Sequence, residues 1–394
     1  MAWSLLLLSS LVFFLFSLIF LIIGLNARRP KYKKDFFPKV SVISWFWKDG
    51  NIIERKIKNF LSLNYPGKYE VIIVDNASKD ETKKICKKYV KRGLIKYFRT
   101  PKKYDRKAFG LDEAIKKVAK YDIIAMTDPD GISKKDWLIS LVQPFKDKKV
   151  GAVIGLTHCG NFYKNIFTKL RAVEDEWALV AAPLGTKFEK DVHLICGANY
   201  AVRRKALESV GYHGKKTLGE DLELSIDLHN KGWKVKVADA EVWQEEVQNI
   251  REYIRQRLRW NNSLLETFRY YSKEIWNIFK KNPIGLFIRF ISYPIQIFSL
   301  LSLIILFLGL FLSFNAFFLG LMSFLILNLA IVISLVRFKK TYLIPYVPVY
   351  LVTEPFLVVY CLLLIRYLKL RKRRIVWRSL HNGYYHAGSR ITFK

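Results

Sequence analysis

Cysteine is scarce in this 394-residue chain: Cys86, Cys159, Cys196 and Cys361 are the only four, and no two form a Cys-x-x-Cys pair. That argues against a zinc site and a disulfide framework, and fits a reducing compartment. Acids are also short, 33 Asp plus Glu against 66 Lys plus Arg, a formal charge of +33. So basic a surface seeks polyanions: nucleic acid, anionic lipid head groups or phosphorylated ligands. No internal repeat or low-complexity tract is present. Apolar residues make up 51% and charged residues 25%, which excludes a disordered chain and a plain membrane bundle. The two classes are segregated, so a soluble part is joined to a membrane part.

Charge is missing altogether from residues 4–25, a run long enough to cross a hydrocarbon core of about 30 Å. No basic stretch precedes it and no small-x-small cleavage site follows, which separates it from a signal peptide. Arg28, Arg29, Lys31, Lys33 and Lys34 follow directly, so positive-inside bias puts the next domain in the cytosol. Three more apolar stretches lie at 291–313, 316–336 and 342–365, the first two reading as a hairpin joined at 313–315. The third carries Pro345, Pro348, Glu354 and Pro355 between two basic clusters. A re-entrant or interfacial passage keeps both clusters inside and is favoured here over a single crossing. Glu354 is then either a buried functional acid or an acid at the wet interface. The expected layout is a membrane helix over 1–26, a cytosolic domain over 37–270 with an interfacial helix near 250–290, membrane segments over 291–366, and a basic cytosolic tail over 367–394.

Between these segments the pattern alternates. Strand-like runs at 40–47, 69–78, 94–100 and 121–131 interleave with helical periodicity at 51–63, 79–92 and 107–119. Fully apolar strands alternating with helices predict a parallel α/β sheet covered on both faces. Ligands of such sheets bind outside the carboxyl ends of the strands, where Asp75, Asp128 and Asp130 fall.

Asp128-Pro129-Asp130 follows an apolar strand. Two carboxylates one residue apart can clamp a hard divalent cation, Mg²⁺ or Mn²⁺, shared with substrate phosphates. Alone, the tripeptide also reads as a solvated turn. Glu220 and Asp221 open a helical pattern; they serve either its dipole or, at a cavity wall, as a general base. The small residues around Cys196-Gly197 suit close backbone approach to a ligand, and Cys196 alone reads as a small core residue.

The ordered set Asp75 in "VDNASKDET", Lys107 in "DRKAFGLDEAI", Asp128-Pro129-Asp130, Cys196-Gly197, Gly219-Glu220-Asp221 and Gln256-Arg257-Leu258-Arg259-Trp260 closely resembles family 2 glycosyltransferases of the membrane-integrated type. These include cellulose, chitin and hyaluronan synthases and ceramide or hopanoid glucosyltransferases. The resemblance covers 38–262. It implies a GT-A nucleotide-diphosphosugar transferase domain beside α-helical transmembrane segments. It also implies that Asp75, assisted near Asp80, holds the base or ribose of UDP, that Lys107 and Asp128 contact the nucleotide, and that Asp130 binds Mg²⁺ or Mn²⁺. By the same resemblance Asp221 is the catalytic base with Glu220 beside it, and Cys196, Gly197 and Gln256 border the acceptor and diphosphate. Arg259 offsets diphosphate charge and Trp260 bounds the acceptor site. The basic and aromatic run at 255–260 then reads as a membrane-surface helix.

The chain departs from the family where Lys48-Asp49 replaces Asn-Glu after the first strand, where Trp45 and Trp47 are unusual, and where "GED" replaces "TED". The implied reaction is a single inverting displacement from a UDP-sugar onto a lipid-linked or short-glycan acceptor at a cell membrane. A processive polysaccharide synthase is the alternative, and a membrane-tethered nucleic-acid binder the rival from another class. The charge allows the last, but no nucleic-acid-binding motif supports it, so no nucleic-acid partner is expected.

Overall fold

The computed structural model describes residues 2–186, 193–283 and 295–371. The strands are β1 Val40–Phe46, β2 Tyr69–Asp75, β3 Lys96–Arg99, β4 Ile123–Thr127, β5 Ile132–Ser133, β6 Val150–Cys159, β7 Asn199–Arg203 and β8 Lys234–Gln244. The helices of the first half are α1 Ala2–Asn26, α2 Ile53–Leu61, α3 Thr82–Lys91, α4 Lys107–Lys117 and α5 Trp137–Val142. Then come α6 Ile166–Asp175, α7 Ala182–Gly185, α8 Arg204–Ser209, α9 Glu220–Asn230, α10 Ile250–Tyr270 and α11 Ser272–Lys281. The last three are α12 Ile295–Leu312, α13 Phe314–Arg337 and α14 Val347–Leu370.

One sheet runs β3-β2-β1-β4-β7-β6-β8-β5. Its first four strands are parallel, as the alternation requires, and all seven residues of β1 are buried because helices cover both faces. The expected parallel sheet stops there. β7 runs antiparallel to both β4 and β6, and β5 closes antiparallel on β8. Asn199 shows why this half is held differently. The β6–β8 register slips between Ile154 and Leu156, and the Asn199 amide donates to the Leu156 and Ala240 carbonyls while accepting from Trp137 Nε1. A buried side-chain amide thus satisfies backbone groups beside the irregularity.

Among the described residues, three helices are long and apolar enough to cross a membrane, Ser4–Asn26, Phe314–Arg337 and Thr341–Leu370, with a shorter apolar helix at Gln296–Leu312. This fits a membrane protein. The hairpin expected around 313–315 is present: α12 ends at Leu312, and Ser313 Oγ accepts from Ala316 N–H to cap α13. Small residues set the packing. A Cβ on Gly24 of α1 would lie 2.6 Å from the Ala330 carbonyl of α13. Residues 291–294 and 372–394, which include most of the expected basic tail, lie outside the described residues.

Residues Val347–Leu370 form one uninterrupted helix, α14, within an apolar span long enough to cross a membrane. Its prolines sit where the backbone tolerates them. Pro345 lies in a 3₁₀ turn, and Pro348 falls in the first turn of α14, where no N–H partner is needed. Pro355 deprives the Leu351 carbonyl of its helical donor, and Ser299 Oγ of α12 supplies the hydrogen bond instead.

Candidate functional site

The parallel neighbours β2, β1 and β4 end on one rim, so Asp75 and Asp128 share it. Asp75 is fully buried. Its carboxylate accepts from Ser78 N–H at 2.9 Å, from Arg99 Nη1 at 2.5 Å and from Tyr97 O–H. Asp80 accepts from Gly50 N–H at 2.9 Å and Thr82 N–H at 3.2 Å. These two acids therefore pin the loops that edge the rim. Lys48 adopts φ 60°, a left-handed conformation costly for a side-chain-bearing residue, and its N–H is held by Ser78 Oγ at 3.0 Å. Of the unusual tryptophans, Trp45 is buried against Gly110 of α4, and Trp47 lies under the Lys103 ammonium, 3.9 Å from the ring centroid.

A continuous set of contacts joins the remaining positions. Lys107, the first residue of α4, donates to Asp128 Oδ1 at 2.5 Å and to the Gly197 carbonyl at 3.3 Å. Gly197 N–H donates to Asp221 Oδ2 at 2.6 Å, and Leu222 N–H holds Asp221 Oδ1 at 2.9 Å. The Asp221 carboxylate is thus oriented by two backbone donors at the start of α9, where the helix dipole favours an anion. Burial opposes the Lys107 charge, but Asp128 and Glu220 outweigh it and hold its pKa above the ordinary lysine value. Burial, and then the neighbouring Asp221, push Glu220 above the usual carboxyl range. Burial and Asp221 raise the Cys196 thiol to about 12, so it is protonated at neutral pH.

Asp130 is buried beside Asp128, and burial, Asp128 and Glu246 together push its carboxyl well above the usual range. The opposing charge is Lys56, which the sequence reading missed. It falls in the apolar row Ile53, Ile57, Phe60 of α2 and is completely buried. Its ammonium donates to Thr127 Oγ1 and the Gly131 carbonyl, so it brackets Asp128-Pro129-Asp130 from behind. Burial pulls it down to about 7.

Along α10, Gln256 Nε2 donates to Glu246 Oε2 at 3.2 Å. Arg171 ion-pairs with Glu174, Asp175 and Glu246, and Arg257 with Glu174 and Glu354. The Trp260 indole faces both guanidiniums, at 4.9 Å from Arg171 and 5.1 Å from Arg257. Glu354 is buried and accepts from Tyr253 O–H, so it is not at a wet interface. Arg259 makes no ion pair among the described residues. Its helical neighbour Ser263 packs on the start of α9: a Cβ on Gly219 would lie 2.3 Å from Ser263 Oγ, so that hydroxyl would have to turn away for any larger residue. Arg171, Glu174 and Glu246 carried no signal in the sequence, because their meaning depends on partners far along the chain.

Residues 41–211 match the family model described as Glycosyl transferase family 2. The chain is 30% identical over 277 residues to a beta-monoglucosyldiacylglycerol synthase of Nostoc sp., covering 67% of this chain and 57% of that protein. It is 29% identical over 239 residues to the probable glycosyltransferase YdaM of Bacillus subtilis, covering 59% of this chain and 57% of that protein. The chain thus spans little more than half the length of these relatives. Among solved structures, a mannosyltransferase from Pyrobaculum calidifontis in complex with GDP-Man and Mn²⁺ superposes with a TM-score of 0.54 at 18% identity, over 90% of this chain and 99% of that one. That likeness gives the fold alone, a GT-A-like α/β domain, and the membrane-compatible helices lie beside it. On the family match, residues 41–211 carry a glycosyl transferase family 2 domain.

Proposed function

We propose that this chain is a membrane-bound inverting glycosyltransferase that moves a sugar from a UDP-sugar onto a hydroxyl of a lipid-linked or short-glycan acceptor, its catalytic domain in the cytosol. The observation that carries the reading is the run of contacts Asp128–Lys107–Gly197–Asp221, which sets an oriented carboxylate beside a cation and an acid pair. Asp221 takes the proton from the acceptor hydroxyl, which attacks the anomeric carbon from the face opposite the leaving diphosphate. Glu220, whose carboxyl burial and then Asp221 push upward, stands beside it. Lys107 and Asp128 contact the nucleotide, and Asp75 and Asp80 shape the base and ribose side through the loops they hold. Arg259 meets the diphosphate, and Cys196, Gln256 and Trp260 border the acceptor.

A divalent cation fits at Asp130. Burial next to Asp128 and Glu246 leaves an excess of negative charge there, and the oxygen donors suit Mg²⁺ or Mn²⁺. No cluster of three His, Cys, Asp or Glu ligands exists among the described residues, so donor diphosphate oxygens would complete the shell. Held there, the ion would offset the charge that develops on the departing nucleoside diphosphate. The lipid acceptor is supported by the Nostoc relative, whose name specifies a glucosyldiacylglycerol product. The test is a screen of UDP-sugars with the full chain in detergent and Mg²⁺ or Mn²⁺, reading UDP release and the masses of extracted lipids and glycans. Metal-dependent release with a glycosylated lipid is expected. A long polymer would overturn the acceptor, and no release from any donor would overturn the reaction.

A further inference from the structure

Glu223 stands in the first turn of α9, just past Asp221, and is completely buried. It has no part in the chemistry above. A buried carboxylate needs donors to replace water, and this one gathers them from a loop and a neighbouring helix. Its Oε1 accepts from Thr217 N–H at 2.5 Å and from Thr217 Oγ1 at 2.7 Å. Its Oε2 accepts from Lys216 N–H at 3.1 Å and from Tyr271 O–H at 2.7 Å. Thr217 Oγ1 in turn accepts from Gly219 N–H at 3.1 Å. The loop also passes tightly over the helix: a Cβ on Gly214 would lie 2.3 Å from Glu223 Cβ, an atom that cannot swing aside.

These bonds do the work of a helix cap. α9 begins after Gly219, which has no side chain to hold the first free N–H groups. Glu220 and Asp221 come next, so their direction follows the path by which loop 214–219 enters the helix. The far end of that loop is fixed separately. His213 N–H donates to Asp112 Oδ1 of α4 at 3.3 Å, its Nδ1 lies 2.5 Å from the same oxygen, and its Nε2 lies 2.8 Å from the Tyr200 hydroxyl. Glu223 ties the near end to α9, and Tyr271 steadies both. Tyr271 sits between α10 and α11, clusters with Ile226 and Ile278, and has the Lys216 ammonium 4.6 Å from its ring centroid. A shift of about 1 Å at a reacting group can cost about a hundredfold in rate, so the entry of α9 bears directly on the base.

We infer that Glu223, held by Tyr271, is a positioning residue for Asp221: it fixes how loop 214–219 enters α9 and thereby aims the base. The inference rests on the transferase reading of Asp221 and adds the side chains that orient it. The experiment uses the full chain in detergent with Mn²⁺ and the UDP-sugar that supports UDP release in the screen above. Glu223→Gln cannot accept from all the same donors, and its kcat is expected to fall at least tenfold, with donor KM and UDP affinity within threefold of wild type. Tyr271→Phe, which keeps the ring and removes one donor, is expected to lower kcat at least threefold with the same unchanged binding; it carries the test if Glu223→Gln does not fold. In an Asp221→Asn background either change is expected to lower the residual rate by less than twofold, because residues acting through one group do not add. A wild-type kcat in both variants, or the same loss repeated in the Asp221→Asn background, would overturn the inference. Asp221→Asn separates the two readings. Transfer lost in Asp221→Asn but intact in Glu223→Gln and Tyr271→Phe overturns the positioning role alone, whereas wild-type transfer in Asp221→Asn overturns it together with the base.

Discussion

Arg257 Nε lies 3.3 Å from Glu354 Oε2, and this ion pair joins α10 to the last membrane-compatible helix. The same guanidinium pairs with Glu174 and faces Trp260. Both partners are buried, so the pair holds only while each charge has its counterpart. The helix that carries Gln256, Arg259 and Trp260 is therefore tied to α14.

Arg257→Met leaves Glu174 and Glu354 buried with less countercharge. Removing one partner from a buried ion pair costs about 3–5 kcal/mol. Thermal unfolding of the detergent-solubilised variant should show a clearly lowered Tm. An unchanged Tm would mean that the network does not hold α10 in place.

Gly197→Ala should spare the fold and damage the reaction. The added Cβ would lie 2.9 Å from Asp221 Oδ2, and the atom that must give way is the tip of that side chain rather than backbone. The expected result is a Tm close to wild type with kcat lowered at least tenfold, since a misplaced base loses most of its effect. A wild-type kcat would argue against Asp221 as base.

Lys107→Met removes the cation between Asp128 and the Gly197 carbonyl. Hydrogen bonds to charged groups contribute about 1.5–3 kcal/mol, so UDP affinity, measured by isothermal titration with Mn²⁺, should fall roughly 10- to 100-fold. Affinity equal to wild type would remove Lys107 from the nucleotide site.

Lys56 predicts a pH dependence. Its folded pKa, about 7, lies below the ordinary lysine value of 10.5. Between these values the unfolded chain binds one proton more than the folded chain, so this group makes stability rise with pH across that window and fall as pH drops toward 7. In metal-free buffer the Tm of wild type should rise relative to Lys56→Met between pH 7 and pH 9. Parallel Tm profiles would show that the buried ammonium does not titrate there.

The readability of this site in the sequence followed the range of the interactions. The parallel half of the sheet and its rim acids were legible, because apolar runs ending in Asp75 and Asp128 are local patterns. The antiparallel β7 was not, because its place depends on Asn199 meeting carbonyls of β6 and β8. Lys56 carried no signal in the string, since a lysine in an apolar row shows its burial only once Thr127 and Gly131 close over it. Pro355 suggested a broken passage, and only Ser299, on another helix, reveals how α14 stays continuous. Arg257 and Arg259 look alike in the string, yet Arg257 is locked to Glu174 and Glu354 while Arg259 makes no ion pair among the described residues.

The most direct measurement compares Asp221→Asn with the wild type, in detergent with Mn²⁺, for both UDP binding and transfer from a UDP-sugar. Asparagine keeps the shape of the side chain and an oxygen for the Gly197 N–H, but it cannot accept the acceptor's proton. The expected result is UDP affinity within a few-fold of wild type and transfer lowered by at least about a hundredfold. Transfer at the wild-type rate would contradict the assignment of Asp221 and the site built around it.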